Sequence, residues 1–307
     1  MTETLLRTEG LSVRFRLRDA VVQAVTDLDL TVRRGELLAV VGESGCGKSV
    51  LAHALLGLLP GNAQTSGQAT FDGTDLLHCG EKELARRIRG RRVGLIPQSP
   101  ATALTAVRTG RKLLTETLRT HGRDPKLADR VAADAGLEPA DLDRYPFQLS
   151  GGMSQRLVTA LALAADPALL IADEPTTGLD RPLVDHTLDL LRRRCDDGGA
   201  VLLITHDLAA AERVADTVAV MYASRIVEHR PAADVFAAPA HPYTSALLQA
   251  LPQREFLPIP GHPPMLTALP QGCAFAARCP RASDACATQP AGPVACHHPL
   301  LPSEVPA

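Results

Sequence analysis

The sequence lacks any run of about 18 consecutive apolar residues, the length a membrane-crossing helix requires. Its best stretch, Leu157 to Ile171, is interrupted by Asp166-Pro167. It also lacks a charge excess: a net charge of −2 provides neither a coat for nucleic acid nor a polybasic membrane anchor. Met1-Thr2-Glu3-Thr4 lacks the basic start and apolar core of a secretion leader. No internal repeat is visible. These absences lead to the expectation of a soluble cytoplasmic protein whose membrane role, if it has one, goes through a partner. Of seven cysteines, Cys46, Cys79 and Cys195 are scattered, while Cys273, Cys279, Cys286 and Cys296 crowd near the end. In a cytoplasmic chain that crowding argues for metal rather than disulfides.

What is present begins with Gly42-Glu43-Ser44-Gly45-Cys46-Gly47-Lys48-Ser49. This G-x-x-x-x-G-K-S pattern follows the apolar run Leu37–Val41, which reads as a buried parallel strand. It precedes Val50 to Leu59, which continues as a helix would. Strand, glycine turn and helix start form the context a phosphate-binding loop requires. Glycines let backbone N–H groups wrap a triphosphate, and the helix start adds its positive end. Lys48 is placed to reach the β and γ phosphates, and Ser49 to offer its hydroxyl to Mg²⁺.

Strands are expected over residues 5–17, 24–32, 68–71, 93–96, 169–172, 200–205, 217–222 and 225–228. Helices are expected over 152–165, 182–194, 208–214 and 241–251, and a basic helix over 81–92. Residues 101–142 read as polar helices broken at Asp124-Pro125 and Glu138-Pro139, a helical insertion between core strands. Strands alternating with helices indicate an α/β fold with a mostly parallel sheet. From Pro239 onward proline becomes frequent. A boundary is expected near residue 230, with a tail too poor in apolar periodicity to fold without a staple.

A second nucleotide signature is Leu169-Leu170-Ile171-Ala172-Asp173-Glu174. An apolar strand carries Asp173 at its C-terminal end, where ligands bind in open α/β sheets. Asp173 is the candidate Mg²⁺ holder, and Glu174 the candidate for polarising the attacking water. A third piece is Leu149-Ser150-Gly151-Gly152-Met153-Ser154-Gln155-Arg156. Ser150 is a natural N-cap, and Gly151 and Gly152 bare the backbone of a second anion-facing helix start. One nucleotide needs one such start. The second is either a plain capped helix or serves a nucleotide held by another subunit.

These motifs resemble those of the ATP-binding cassette (ABC) ATPases, over about residues 5 to 230. Leu149–Arg156 is similar to the family's signature, with Met153 where glutamine is usual. The resemblance implies an ABC-type P-loop NTPase: a RecA-like parallel-sheet core, an antiparallel β subdomain and a helical insertion at 100–165, all within residues 1–230. It implies Phe15 on the adenine, the loop Gly42 to Val50 on the phosphates, Gln98 near Mg²⁺ and the membrane partner, and His206 on the γ-phosphate. It implies two cassettes paired head to tail, so that Ser150, Gly151, Gly152 and Asp180 face the ATP of the partner subunit. Lys48, Glu174 and His206 are the expected catalytic set. Cys46 reads as a tolerated small residue of the loop.

His241–Leu248, Ile259–Pro264 and Gly272–Pro280 resemble the extension, here residues 231–307, of the oligopeptide, dipeptide and nickel importers. In place of the Ser-Leu-Asn-Pro stretch usual after the glutamine of that group, this chain has Ala103-Leu104-Thr105-Ala106. The resemblance implies an ATPase on the cytoplasmic face of the inner membrane. Its partners would be a second ATPase subunit, identical or different, two permeases and an extracytoplasmic binding protein, with no nucleic acid. Peptides are the expected cargo, with nickel or a metal chelate as alternative. A soluble ABC ATPase of DNA repair or translation is a rival, as is a non-catalytic sensing subunit. The tail cysteines are separated by five, six and nine residues, without the close pairs usual in structural zinc sites. Cys273, Cys279, Cys286 and Cys296 stay open between a [4Fe–4S] cluster, which some relatives in that group carry, Zn²⁺, and free thiols.

Overall fold

The computed structural model describes residues 3–301 and 303. Met1 and Thr2, read above for a leader, and residues 302 and 304–307 of the extension lie outside the described residues. In chain order the strands are β1 (Thr4–Arg16), β2 (Val21–Arg33), β3 (Leu37–Val41), β4 (Ala63–Phe71), β5 (Thr74–Asp75), β6 (Val93–Ile96), β7 (Leu169–Asp173), β8 (Ala200–Thr205), β9 (Thr217–Tyr222) and β10 (Arg225–Pro231). The helices are α1 (Lys48–Leu55), α2 (Glu81–Glu83), α3 (Pro100–Ala103), α4 (Gly110–Thr120), α5 (Ala128–Asp134), α6 (Gly151–Leu163), α7 (Arg181–Asp196), α8 (Leu208–Val214), α9 (Ala232–Ala237) and α10 (Pro242–Gln249). Among the described residues no helix is long and apolar enough to cross a membrane.

By internal packing the chain forms two compact units. The first joins the described residues up to Leu5 with Val32–Leu37 and His78–Ile204. Its strands β6, β7 and β8 are parallel neighbours, Ile96 opposite Ala172 and Asp173 opposite Ile204. Every residue of β7 and β8 is buried, which is why both read as unbroken apolar runs rather than alternating ones. The helical insertion has its own core, where Leu114, Leu118, Ala132, Leu142, Leu157 and Ala160 pack together. Its polar helices turn one apolar stripe inward, and Pro125 and Pro139 each open a 3₁₀ turn where the sequence signalled a break.

The second unit joins Leu6–Thr31, Leu38–Leu77 and the described residues from Thr205 on. It carries the antiparallel sheet, in the order β2-β1-β4-β5, and the strands β3, β9 and β10. β3 runs parallel to β9, and β10 returns antiparallel to it. After Gln249 the chain is irregular apart from 3₁₀ turns at Ala276–Arg278 and Asp284–Ala287.

Among the departures from the expected elements, which include the unforeseen β5 and an α1 that ends at Leu55 rather than Leu59, three have a clear physical reason. β4 begins at Ala63 rather than Gln68, because Gln64, Thr65 and Ser66 are held as a strand by register with Arg14, Val13 and Ser12 of β1. The helix expected over 81–92 is only α2 followed by a π-helical turn, Leu84–Ile88, closed by Arg89 N–H donating to Leu84 O at 2.8 Å. Gly90, at φ +69°, then leaves helical geometry altogether. Helix α9 was not foreseen; six residues starting behind Pro231 offer too short a period to read.

Candidate functional site

The phosphate loop leaves the fully buried β3 and enters α1 in the second unit. Gly47 supplies the helix N-cap at φ +110°, a left-handed conformation open to glycine. A Cβ on Gly47 would collide with Ala24 O, and one on Gly42 with Met221 O. Lys48 is 6% exposed, and its Nζ donates to Gly42 O at 2.7 Å and Glu43 O at 3.0 Å. A buried ammonium curled over its own loop's carbonyls matches an anion site, since phosphate oxygens are stronger acceptors than carbonyls. Gly45 and Ser44 are exposed at the loop's tip, and Ser49 and Val50 are half-buried on the first turn of α1. Burial pushes the Cys46 thiol up, with nearby Lys48 opposing, so it stays protonated and unreactive at neutral pH. Phe15 is half-buried on β1 opposite Ala63. His206 is exposed just past β8, where the Asp207 side chain caps α8 by accepting from Ala210 N–H at 3.0 Å.

In the first unit, Gln98 and Asp173 leave the same ends of adjacent parallel strands, two residues past Ile96 and one past its partner Ala172. Asp173 is 3% and Glu174 6% exposed. Glu174 stands at φ +50°, and its N–H donates to Ile204 O at 2.8 Å. Ser150 caps α6, its Oγ accepting from Met153 N–H at 3.2 Å. Ser150 and Gly151 are exposed, so the helix start is open to a ligand. A Cβ on Gly152 would press on Leu183 of α7. Asp180 is exposed at the start of α7. The second unit therefore holds Phe15, the phosphate loop and His206; the first holds Gln98, Ser150, Gly151, Gly152, Asp173, Glu174 and Asp180.

The four tail cysteines lie in the second unit and none forms a disulfide. Cys273 N–H donates to Cys286 O at 2.9 Å. Burial raises the thiols of Cys273, Cys279 and Cys296, and each is raised further by neighbouring members of the set. Four soft donors are thus neighbours. Yet among the described residues no three His, Cys, Asp or Glu side chains stand as a formed metal-binding group. The expected cluster or zinc is not preassembled.

Two family profiles match the chain in succession: "ABC transporter" over residues 25–177 and "Oligopeptide/dipeptide transporter, C-terminal region" over residues 227–286. The chain is 42% identical to the oligopeptide transport ATP-binding protein OppD of Salmonella typhimurium, across 93% of this chain and 89% of that protein. The chain belongs to the ABC transporter family. The dipeptide transport ATP-binding protein DppD of Bacillus subtilis is 42% identical across 92% of this chain and 89% of that one. Among solved structures, the dimeric ATP-binding cassette MJ0796 bound to ADP and Pi superposes with a TM-score of 0.68 at 22% identity, covering 74% of this chain and 99% of that one. That likeness establishes the ABC fold: α/β, with an antiparallel subdomain and a helical insertion.

The ABC chain also has residues, at the start of its tail and at its phosphate loop, that sequence reasoning did not single out. Glu228 is fully buried, and its carboxylate accepts from the N–H groups of Ala240 and His241 at 3.0 and 2.9 Å and from Arg230 at 3.1 Å. It fastens the start of the tail to β10. Tyr243 Oη accepts from Glu43 N–H at 3.1 Å. Arg278 reaches the Glu43 carboxylate with both terminal nitrogens, at 3.1 and 3.3 Å. Burial works against the charge of Arg278, but its bonds to Glu43 and Tyr222 outweigh that and hold its pKa above the ordinary value. The only trace of Tyr243 and Arg278 in sequence is their place inside the two tail segments His241–Leu248 and Gly272–Pro280.

Proposed function

We propose that this chain is the ATP-hydrolysing subunit of an importer that moves oligopeptides or dipeptides across the cytoplasmic membrane. The observation that carries the reading is the conjunction, in one chain, of a formed phosphate loop, an open capped signature helix and the peptide-transporter C-terminal region. The printed names of the relatives, oligopeptide and dipeptide transport ATP-binding proteins, support the cargo class.

In this reading the loop from Gly42 to Val50 wraps the triphosphate with its N–H groups, and Lys48 exchanges its loop carbonyls for β and γ phosphate oxygens. Ser49, Asp173 and Gln98 are the residues that would hold Mg²⁺. That ion, when bound, neutralises charge on the phosphates. Glu174 takes a proton from the attacking water as it adds to the γ-phosphorus and the bond to the β-phosphate oxygen breaks; His206 donates to the γ-phosphate. Phe15 stacks on adenine. Ser150, Gly151, Gly152 and Asp180 close over the ATP of a second cassette, identical or different. Gln98 also reports to two permeases fed by an extracytoplasmic binding protein, which puts the chain on the cytoplasmic face of the membrane. Cys273, Cys279, Cys286 and Cys296, which do not stand as a formed metal-binding group among the described residues, would have to draw together to hold a [4Fe–4S] cluster or Zn²⁺ that staples the tail. Nickel or a chelate is the alternative cargo, on the resemblance of the tail alone.

The test is the complete transporter in proteoliposomes. ATP hydrolysis should rise when peptide and binding protein are added; a rate indifferent to peptide but responsive to nickel replaces the cargo, and no hydrolysis at all refutes the enzyme. Iron, zinc and sulfide content with the visible spectrum of anaerobically purified protein decides the tail: a colourless sample free of both metals leaves bare thiols.

A further inference from the structure

An anion-binding loop with a carboxylate as its second residue has an electrostatic problem, because Glu43 repels the phosphates its own loop must hold. The structure answers that problem from the tail. Glu43 is engaged at three of its polar groups: its N–H by Tyr243 Oη (3.1 Å), its carbonyl by Lys48 Nζ (3.0 Å) and its carboxylate by Arg278 (3.1 and 3.3 Å). Two of these partners stand 200 and 235 positions further along the chain.

Arg278 is not poised to leave. Its side chain is 4% exposed. Its Nε donates to Pro260 O at 2.9 Å, and its Nη1 also donates to Tyr222 Oη at 3.1 Å. The guanidinium lies 5.7 Å from the Tyr222 ring centre and 5.9 Å from that of Phe275. Tyr243 is fully buried, with ring centres 4.4 Å from Tyr222 and 5.4 Å from Phe275. A rigid guanidinium fork locked among aromatic rings positions a carboxylate far better than a mobile lysine would. Its donors are occupied by protein oxygens, so it serves Glu43 rather than phosphate.

We propose that Arg278 and Tyr243 are positioning residues of the ATP site: the C-terminal extension clamps the phosphate loop through Glu43 and cancels the charge of that carboxylate. This rests on the reading that the loop binds ATP. Removing Arg278 leaves an unpaired carboxylate beside the triphosphate, whereas removing both charges leaves none. The clamp therefore has a signature that a purely structural tie lacks: the second substitution repairs the first.

The experiment is equilibrium binding of the fluorescent nucleotide MANT-ATP to the full-length chain, with thermal unfolding run in parallel. Arg278→Ala should weaken binding by about tenfold, the size expected when one partner of a close charge pair is lost. Arg278→Ala/Glu43→Gln should regain most of that loss, binding at least about threefold more tightly than Arg278→Ala. Arg278→Lys, which keeps the charge and loses the fork, should fall between wild type and Arg278→Ala. If Arg278→Ala does not fold, Tyr243→Phe carries the test, with binding weakened about threefold, the worth of one hydrogen bond. Variants that unfold at lower temperature yet bind as tightly as wild type overturn the clamp, as does a double variant no better than Arg278→Ala. Wild-type protein that binds no MANT-ATP removes the ATP reading itself; wild-type binding with unaffected variants removes the clamp alone.

Discussion

Acidification should loosen the tail through one histidine. His241 is 1% exposed, and its Nδ1 accepts from Tyr243 N–H at 3.0 Å as the N-cap of α10. A ring that accepts at Nδ1 must be unprotonated there, and burial holds its pKa down at about 4, against 6.5 for a free histidine, with the Ala295 backbone opposing. The folded state thus binds fewer protons than the unfolded state between those two values. Stability is complete above about pH 6.5 and falls as pH drops toward 4, below which the loss levels off. The gap between those two values is worth about 3–4 kcal/mol, of which about 1 kcal/mol is gone by pH 5.5. The assay is urea unfolding of wild type and His241→Asn across that range. Asparagine keeps a capping oxygen and has no charge to gain. The gap between the two proteins should change by about 1 kcal/mol or more from pH 7 to 5.5. Parallel pH profiles would refute the buried neutral cap.

Three further outcomes follow from packing and loop geometry. Glu228→Ala strips the acceptor from the buried N–H of His241 and the half-buried N–H of Ala240 and the partner from Arg230, and should cost about 3–5 kcal/mol in urea unfolding. Leu157→Ala opens a hole in the insertion's core, where Leu157 is fully buried, and should cost about 2–5 kcal/mol by the same assay. Gly47→Ala forces a side chain into a φ of +110° and against Ala24 O, so nucleotide binding should fall at least about tenfold in the MANT-ATP titration.

The parallel strands were legible because both their faces are covered: Leu37–Val41 and Leu169–Ala172 are apolar without interruption. The phosphate loop was legible because its chemistry is local, a strand, a glycine turn and a helix start within one short segment. The polar half of β4 was not, since Gln64 to Ser66 carry no period of their own and become a strand through β1. The partners of Glu43 were equally hidden. Nothing near Glu43 announces an arginine 235 positions away, and the tail's cysteines drew attention from the Arg278 that stands between two of them. Glu228 looked like an ordinary charge at the end of a strand; its burial under two tail N–H groups is a product of tertiary packing.

The central claim is hydrolysis of ATP with Glu174 as the base, and it is tested most directly by Glu174→Gln in the assembled transporter at saturating ATP. Glu174 is 6% exposed and directly follows β7. The hydrolysis rate should fall about 100-fold or more, the typical worth of a positioned general base, while MANT-ATP binding stays within about threefold of wild type. A Glu174→Gln transporter that hydrolyses ATP at the wild-type rate would contradict it.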